Sequence, residues 1–168
     1  MWMNVQPFRE SVLEDSTFGR GSSPGPHRSE NTVDVVFLIA RILFVIIAIT
    51  GAIGHFLQAD AMTQYATYKG APGGKFGVIA SGVGLGLGGV MVLLGIYGDL
   101  GALIIAATLI PISIFMHAFW KESDAQAKMT EQVAFNKNLA LIGGALAIFV
   151  FFAATDPALS ITGPLFSA

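Results

Sequence analysis

Cysteine is absent from this chain of 168 residues, and charged residues make up only 12% of it. Without cysteine the protein cannot form disulfides, thiolate metal sites, cysteine-bound iron–sulfur clusters or covalently attached c-type haem. The formal net charge is −2 and the nine Lys and Arg residues are spread thinly, which argues against a nucleic-acid partner. Any redox role therefore needs a non-covalent cofactor or a partner subunit.

Recognisable catalytic constellations are also missing. The sequence contains no metal motif, no nucleophile beside a base and no pair of carboxylates inside an apolar stretch, so we do not expect a self-contained hydrolase or a metal site. We detect no inverted repeat, which disfavours a carrier. Whether the protein is an enzyme stays open, and we favour a non-catalytic subunit.

Apolar residues, in contrast, are abundant, at 54% of the chain with a mean hydropathy of +0.68. They concentrate in four runs, at residues 33–57, 76–97, 100–120 and 138–155. A helix needs roughly 20 mostly apolar residues to cross about 30 Å of hydrocarbon, and each run meets that requirement. The sequence therefore predicts an all-α transmembrane four-helix bundle embedded in the lipid bilayer.

The remaining segments define three regions. We predict a polar tail at 1–32 that is flexible or docked on a partner, a transmembrane domain at 33–156, and a short C-terminal tail at 157–168. Between the first two spans, Met62, Tyr65, Tyr68 and Lys69 recur at helical spacing and predict a short interfacial helix. Four crossings place both termini on the same side, here end A. The 58–75 and 121–137 connections lie at the opposite end, end B, and the membrane orientation stays open.

Arg41 is the most unusual residue of the first span. Asp34, Arg41, Ala48 and His55 are spaced by seven, so they lie on nearly one face of a helix. An arginine in the middle of a membrane costs from about 3 to above 10 kcal/mol unless it faces the bundle interior, a polar cavity or an acidic partner. Two interpretations remain: a structural ion pair, with Asp34, Asp99 or Asp156 as the acids on the same side of the membrane, and a contact to an anion or cofactor.

Several polar side chains gather near end B once the crossings are counted. Ser113, His117 and Trp120 fall on one stripe of the third span. The candidate binding cluster consists of His55, His117, Trp120, Lys137 and Asn138. These groups donate hydrogen bonds to carbonyl oxygens, as a quinone or lipid headgroup requires. The alternatives are an interfacial belt of Trp and Lys, and, less favoured, axial ligation of a b-type haem by the two histidines.

Glycines of the second and fourth spans are spaced for close helix packing. Gly82 with Gly86, and Gly84 with Gly88, form small-xxx-small pairs, and Gly143 and Gly144 could face them from the fourth span. The run from Gly84 also matches a dinucleotide fingerprint, but no strand precedes it and we discount it.

Several ordered motifs resemble the DoxX family of four-span membrane proteins. They include residues 39–44 (IARILF), Gly54-His55-Phe56, Gly70-Ala71-Pro72, His117-Ala118-Phe119-Trp120 and residues 135–144 (FNKNLALIGG). The resemblance covers about residues 33–150, and its motif positions here include Arg41, His117, Trp120, Lys137 and Asn138.

This resemblance implies a multi-pass protein of the plasma (inner) membrane of a prokaryote. The family name comes from a subunit of a membrane thiosulfate:quinone oxidoreductase. We therefore expect an auxiliary subunit of a larger membrane redox or respiratory-type complex that binds quinone or lipid. The alternatives are a small quinone-linked oxidoreductase in its own right and a purely structural assembly subunit.

Overall fold

The structure, a computed structural model, describes residues 27–166, with side chains from residue 32 onward. It contains α1 (His27–Leu57), α2 (Ala59–Tyr68), α3 (Gly74–Leu94), α4 (Gly98–Met116) and α5 (Ala125–Ala154), with a 3₁₀ turn at Phe119–Lys121. Apart from its last residues, which begin α1, the tail predicted for residues 1–32 lies outside this range. No strand occurs in the described part, so the all-α prediction is confirmed.

Four of the helices are long and apolar enough to cross a membrane. The predicted spans are therefore confirmed in number and order, and α2 is the short helix predicted between the first two. The last helix begins at Ala125, well before the start predicted at residue 138, because Asp124 accepts a hydrogen bond from the backbone N–H of Ala127 at 2.8 Å. This N-cap starts a helix in a polar stretch that hydropathy alone marks as a connection.

The backbones of the spanning helices pack in a row: α3 lies between α1 and α4, and α5 packs on the other side of α4. α1 and α5 lie farther apart, with a seam between them that large side chains bridge, such as Phe37, whose ring stacks on Phe151 with centroids 3.9 Å apart. Buried side chains from all four spans, such as Val45, Leu85, Ile105 and Phe152, belong to one core cluster. Many large apolar side chains on the outer faces are exposed, as expected for helices surrounded by lipid.

Glycines allow the helices of this row to approach each other closely. A Cβ added to Gly88 would lie 2.7 Å from the backbone oxygen of Gly101 and 2.8 Å from Ile105. The other α3 glycines singled out from the sequence also face neighbouring helices: Gly82 faces His55, Gly84 faces Thr108 and Gly86 faces Ala52. On α5, Gly144 packs on Phe44, whereas a Cβ at Gly143 would meet no described atom within 4 Å.

Candidate functional site

Two cavities meet at a pair of histidines near end B. Cavity 1 has a volume of about 370 Å³ and lies along the seam between α1 and α5. Cavity 2 has a volume of about 430 Å³ and lies against α2, with Met62, Tyr65 and Ala66 among its lining residues. Both cavities are lined by His55 and His117. The two imidazoles therefore form a wall that two potential ligand sites share.

His55 is held by the backbone of the neighbouring span. Its Nδ1 lies 2.8 Å from the carbonyl oxygen of Val78 on α3. A carbonyl can only accept a hydrogen bond, so Nδ1 carries the proton and Nε2 is the ring nitrogen left for the cavities. Gly82 makes this position accessible, because a Cβ there would lie 2.8 Å from the Cβ of His55.

His117 is held by an acidic side chain that arrives from the start of α5. α4 ends at Met116, so His117 lies just beyond the helix, where its Nδ1 is 2.8 Å from Oε2 of Glu131. Glu131 is buried and also binds α2: Tyr65 donates its hydroxyl proton to Oε1 at 2.6 Å, and Lys69 Nζ lies 2.9 Å from the same oxygen. One carboxylate thus links α2, α5 and the end of α4.

Lys69 supplies the positive charge at this junction. Its ammonium also bonds Glu122, and it lies 5.4 Å from the ring centroid of Tyr65. Burial by itself would lower the pKa of Lys69, but the hydrogen bonds to Glu122 and Glu131 outweigh it and raise the pKa above its ordinary value. Burial, reinforced by the hydrogen bond to Glu131, also raises the pKa of Tyr65. Both side chains therefore keep their protons at neutral pH.

Asn138 contributes a buried amide without a partner. Its side chain lines cavity 1, and the residue is only 4% exposed. No hydrogen bond joins this carboxamide to any other side chain or backbone group of residues 32–166. The amide atoms are not among the fully enclosed unpaired polar atoms of residues 32–166, so they reach the open space of cavity 1. The amide is thus available to a ligand in cavity 1.

The structure brings four of the predicted site residues together and leaves two outside. His55, His117, Lys137 and Asn138 all line cavity 1. Trp120 does not: it lies in the 3₁₀ turn, half-exposed, with its ring edge-on to Phe119 and Phe135. The stripe predicted for Ser113, His117 and Trp120 is wrong, because α4 ends before His117.

Arg41 lies at end A and lines neither cavity. It is 1% exposed, and its guanidinium donates hydrogen bonds to the Leu159 carbonyl at 2.6 Å and to Ser160 Oγ at 3.2 Å. The rings of Phe37 and Phe152 lie 5.4 and 5.6 Å from its Cζ. Arg41 forms no salt bridge with any described residue, although the charge of Asp34 acts on it from a greater distance. The ion-pair interpretation thus lacks a direct contact, and the hydrogen-bond partners of Arg41 are uncharged groups of the C-terminal segment.

That segment, residues 155–166, folds back over end A. The backbone N–H of Thr162 donates to the Gly95 carbonyl at 3.0 Å, and that of Phe166 donates to the buried carboxylate of Asp99 at 2.6 Å. Two polar atoms inside this region, Arg41 Nε and Asp99 Oδ1, lack hydrogen-bond partners among the described groups. Arg41 and Asp99 thus anchor the C-terminal segment and take no part in the end-B cluster.

Sequence reasoning missed the two residues that organise the site, Glu131 and Lys69, as binding partners. Glu131 lies in a polar stretch taken as a connection, so nothing in its neighbourhood indicated burial. Within the described part of the chain, no group of three or more His, Asp or Glu side chains could hold a metal ion. No protein-family model, curated protein or solved structure matches the chain.

Proposed function

We propose that the protein binds the headgroup of a quinone-type ligand in cavity 1. The observation that carries this proposal is Asn138, a buried carboxamide with no intramolecular partner that lines a cavity also bordered by His55 and His117. The Asn138 amide can donate a hydrogen bond to a carbonyl oxygen or accept one from a hydroxyl, and each imidazole has one nitrogen that no described group binds.

The shape of cavity 1 supports the same ligand class. Its volume of about 370 Å³ falls in the range of small-molecule sites, which is about 300–1,000 Å³. Apolar side chains of α1, α3 and α4 form the remaining walls, among them Leu85, Ile105 and Leu109. Apolar walls with few polar groups suit a flat ring that carries oxygens at its edges.

We further propose that the chain acts as an auxiliary subunit of a membrane redox assembly, as its resemblance to the DoxX family implies. Without cysteine, a redox role needs a non-covalent cofactor, a partner subunit or a diffusible donor. The resemblance also supports a place in the plasma membrane of a prokaryote. Mass spectrometry after purification in a mild detergent tests the proposal. We expect a cofactor-bearing membrane protein to co-purify, and a chain that purifies alone after cross-linking would contradict the subunit role.

Ligand binding is tested with matched asparagine variants in nanodiscs. A decyl-tailed benzoquinone is titrated into the wild type, Asn138→Leu and Asn136→Leu, with affinity measured by calorimetry. Asn136 is exposed, lies two positions away on the same helix and lines neither cavity. We expect Asn138→Leu to lose about tenfold in affinity, equal to one good hydrogen bond, and Asn136→Leu to match the wild type. Equal affinities in all three proteins would overturn the proposal.

A further inference from the structure

Hydrogen-bond partners fix which form of each histidine faces the cavities. The Val78 carbonyl can only accept, so His55 holds its proton on Nδ1. In the neutral ring, Nε2 then has a lone pair and no hydrogen. No described group hydrogen-bonds this nitrogen. His55 therefore offers cavity 1 an acceptor and cannot donate to a carbonyl oxygen while it is neutral.

The same reasoning applies to His117, through Glu131. The carboxylate of Glu131 receives the Tyr65 hydroxyl proton and lies 2.9 Å from the Lys69 ammonium, which has only donors. A carboxylate that accepts from both is ionised, so it accepts the Nδ1 proton of His117 as well. Nε2 of neutral His117 is then a second acceptor. Each ring of the shared wall therefore has a lone pair on a nitrogen that no described group binds.

The other polar groups of cavity 1 do not reverse this pattern. The Asn138 amide offers one acceptor and one donor group, so it suits a hydroxyl and a carbonyl equally. Lys137 is a donor only, but it is exposed, and its hydration weakens the discrimination it can provide. The two half-buried imidazoles therefore decide whether a hydroxyl or a carbonyl oxygen of the ligand fits cavity 1.

From this arrangement we infer that cavity 1 selects the reduced, hydroxyl-bearing form of its ligand, a hydroquinone, over the quinone. The inference rests on the proposed function and adds the redox state that the site recognises. A hydroquinone donates its two O–H groups to the Nε2 lone pairs of the two histidines. A quinone carbonyl oxygen at the same point would face those lone pairs with no hydrogen atom between them. A buried acceptor without a donor forfeits its hydrogen bond and loses its hydration.

The experiment compares two probes that differ only in redox state. A decyl-tailed hydroquinone and the matching benzoquinone are titrated anaerobically into the wild-type protein in nanodiscs at pH 8.5. We expect the hydroquinone to bind about tenfold more tightly. His55→Phe, which keeps an aromatic ring and removes the acceptor, should reduce the ratio, and Asn136→Leu should preserve it.

Three results would contradict the inference in distinguishable ways. If the benzoquinone binds as tightly as the hydroquinone at pH 8.5, the inferred preference for the reduced form is wrong, while binding of a quinone-type ligand stands. If His55→Phe remains folded, as shown by its circular dichroism and unfolding midpoint, and keeps the full ratio, His55 does not set the selectivity. If neither probe binds above its partitioning into empty nanodiscs, the proposed function itself fails.

Discussion

Glu131 Oε2 lies 2.8 Å from His117 Nδ1, across the turn that joins α4 to α5. The contact fixes the position of an imidazole that no helix holds, because α4 has already ended at Met116. It also joins the ring to α2 through Tyr65 and Lys69, so the covering helix and the cavity wall share one carboxylate. A change on α2 is therefore expected to reach His117 without any direct contact.

Removal of the Lys69 ammonium should destabilise the protein measurably. Lys69→Met leaves the buried Glu131 carboxylate without its cation, which we expect to cost about 2 kcal/mol. The control is Lys75→Met, because the Lys75–Asp60 pair is exposed, with side chains 63% and 83% accessible, and such pairs contribute little. Unfolding in mixed micelles measures both. Equal losses in the two variants would show that burial of the Lys69 pair is irrelevant.

High pH should destabilise the end-B junction, where Tyr65 and Lys69 bind Glu131. The pKa values of Tyr65 and Lys69 are both raised in the folded protein, so folding favours their protonated forms. Their stabilising contribution is complete below the unfolded-state values, near 10 for both residue types, and is lost as pH rises through the folded-state values. We expect the thermal unfolding midpoint of the wild type to decrease as the pH rises above about 10. Tyr65→Phe should show a shallower fall over the same pH interval, measured by circular dichroism. A parallel decline in both proteins would remove Tyr65 as a contributor.

The unpartnered amide of Asn138 predicts a conflict between stability and binding. Leucine has the same number and branching of side-chain heavy atoms and leaves no polar group unpaired, so Asn138→Leu should unfold at the same temperature as the ligand-free wild type or higher. A clear drop in midpoint would mean that the amide has a stabilising partner. The comparison needs ligand-free protein, since a bound ligand stabilises the wild type selectively.

Close helix approach at Gly88 should tolerate no side chain. The added methyl of Gly88→Ala would lie 2.7 Å from the Gly101 carbonyl oxygen, a backbone atom that cannot rotate away, and we expect a loss of about 1–3 kcal/mol. Gly143→Ala meets open space on α5 and should be neutral or stabilise by up to about 1 kcal/mol through helix propensity. Unfolding midpoints of the two variants decide the matter, and a stable Gly88→Ala protein would contradict the packing described.

Loss of the Arg41 guanidinium should release the C-terminal segment. Arg41→Met removes the donors to Leu159 and Ser160, so we expect proteinase K to cut within residues 155–166 faster than in the wild type, with fragments identified by mass spectrometry. Asp34→Asn is the control, since Arg41 bonds the segment and forms no salt bridge with Asp34. Ligand affinity should remain unchanged in Arg41→Met, because Arg41 lines neither cavity. Protection equal to the wild type would show that the other contacts suffice.

The sequence predicted the parts of this protein that depend on hydropathy and on counting. Long apolar runs must be helices in lipid, since every backbone polar group has to be satisfied within the segment. The chain crosses the membrane twice between the end of the first span and the end of the third. His55 and His117 were therefore predicted at the same end. Lys137 and Asn138 followed from the same count.

The unpredicted features depend on partners that carry no sequence signal. Arg41 binds a backbone carbonyl and a serine in the C-terminal segment, whereas charge complementarity had suggested Asp34 or Asp99. Glu131 is surrounded in sequence by polar residues, so its burial arises only when α2 packs over it and supplies Tyr65 and Lys69. Tertiary contacts at a helix end, rather than periodicity, decide such positions.

The seam between α1 and α5 determines how a ligand would arrive. Cavity 1 runs along this seam, beside exposed α1 side chains such as Ile47 and Thr50, so its opening faces the acyl chains. A molecule already dissolved in the bilayer could enter cavity 1 laterally from the lipid without passing through water. Its effective concentration is then its mole fraction among the lipids, and occupancy should follow membrane composition and be insensitive to the volume of the surrounding buffer.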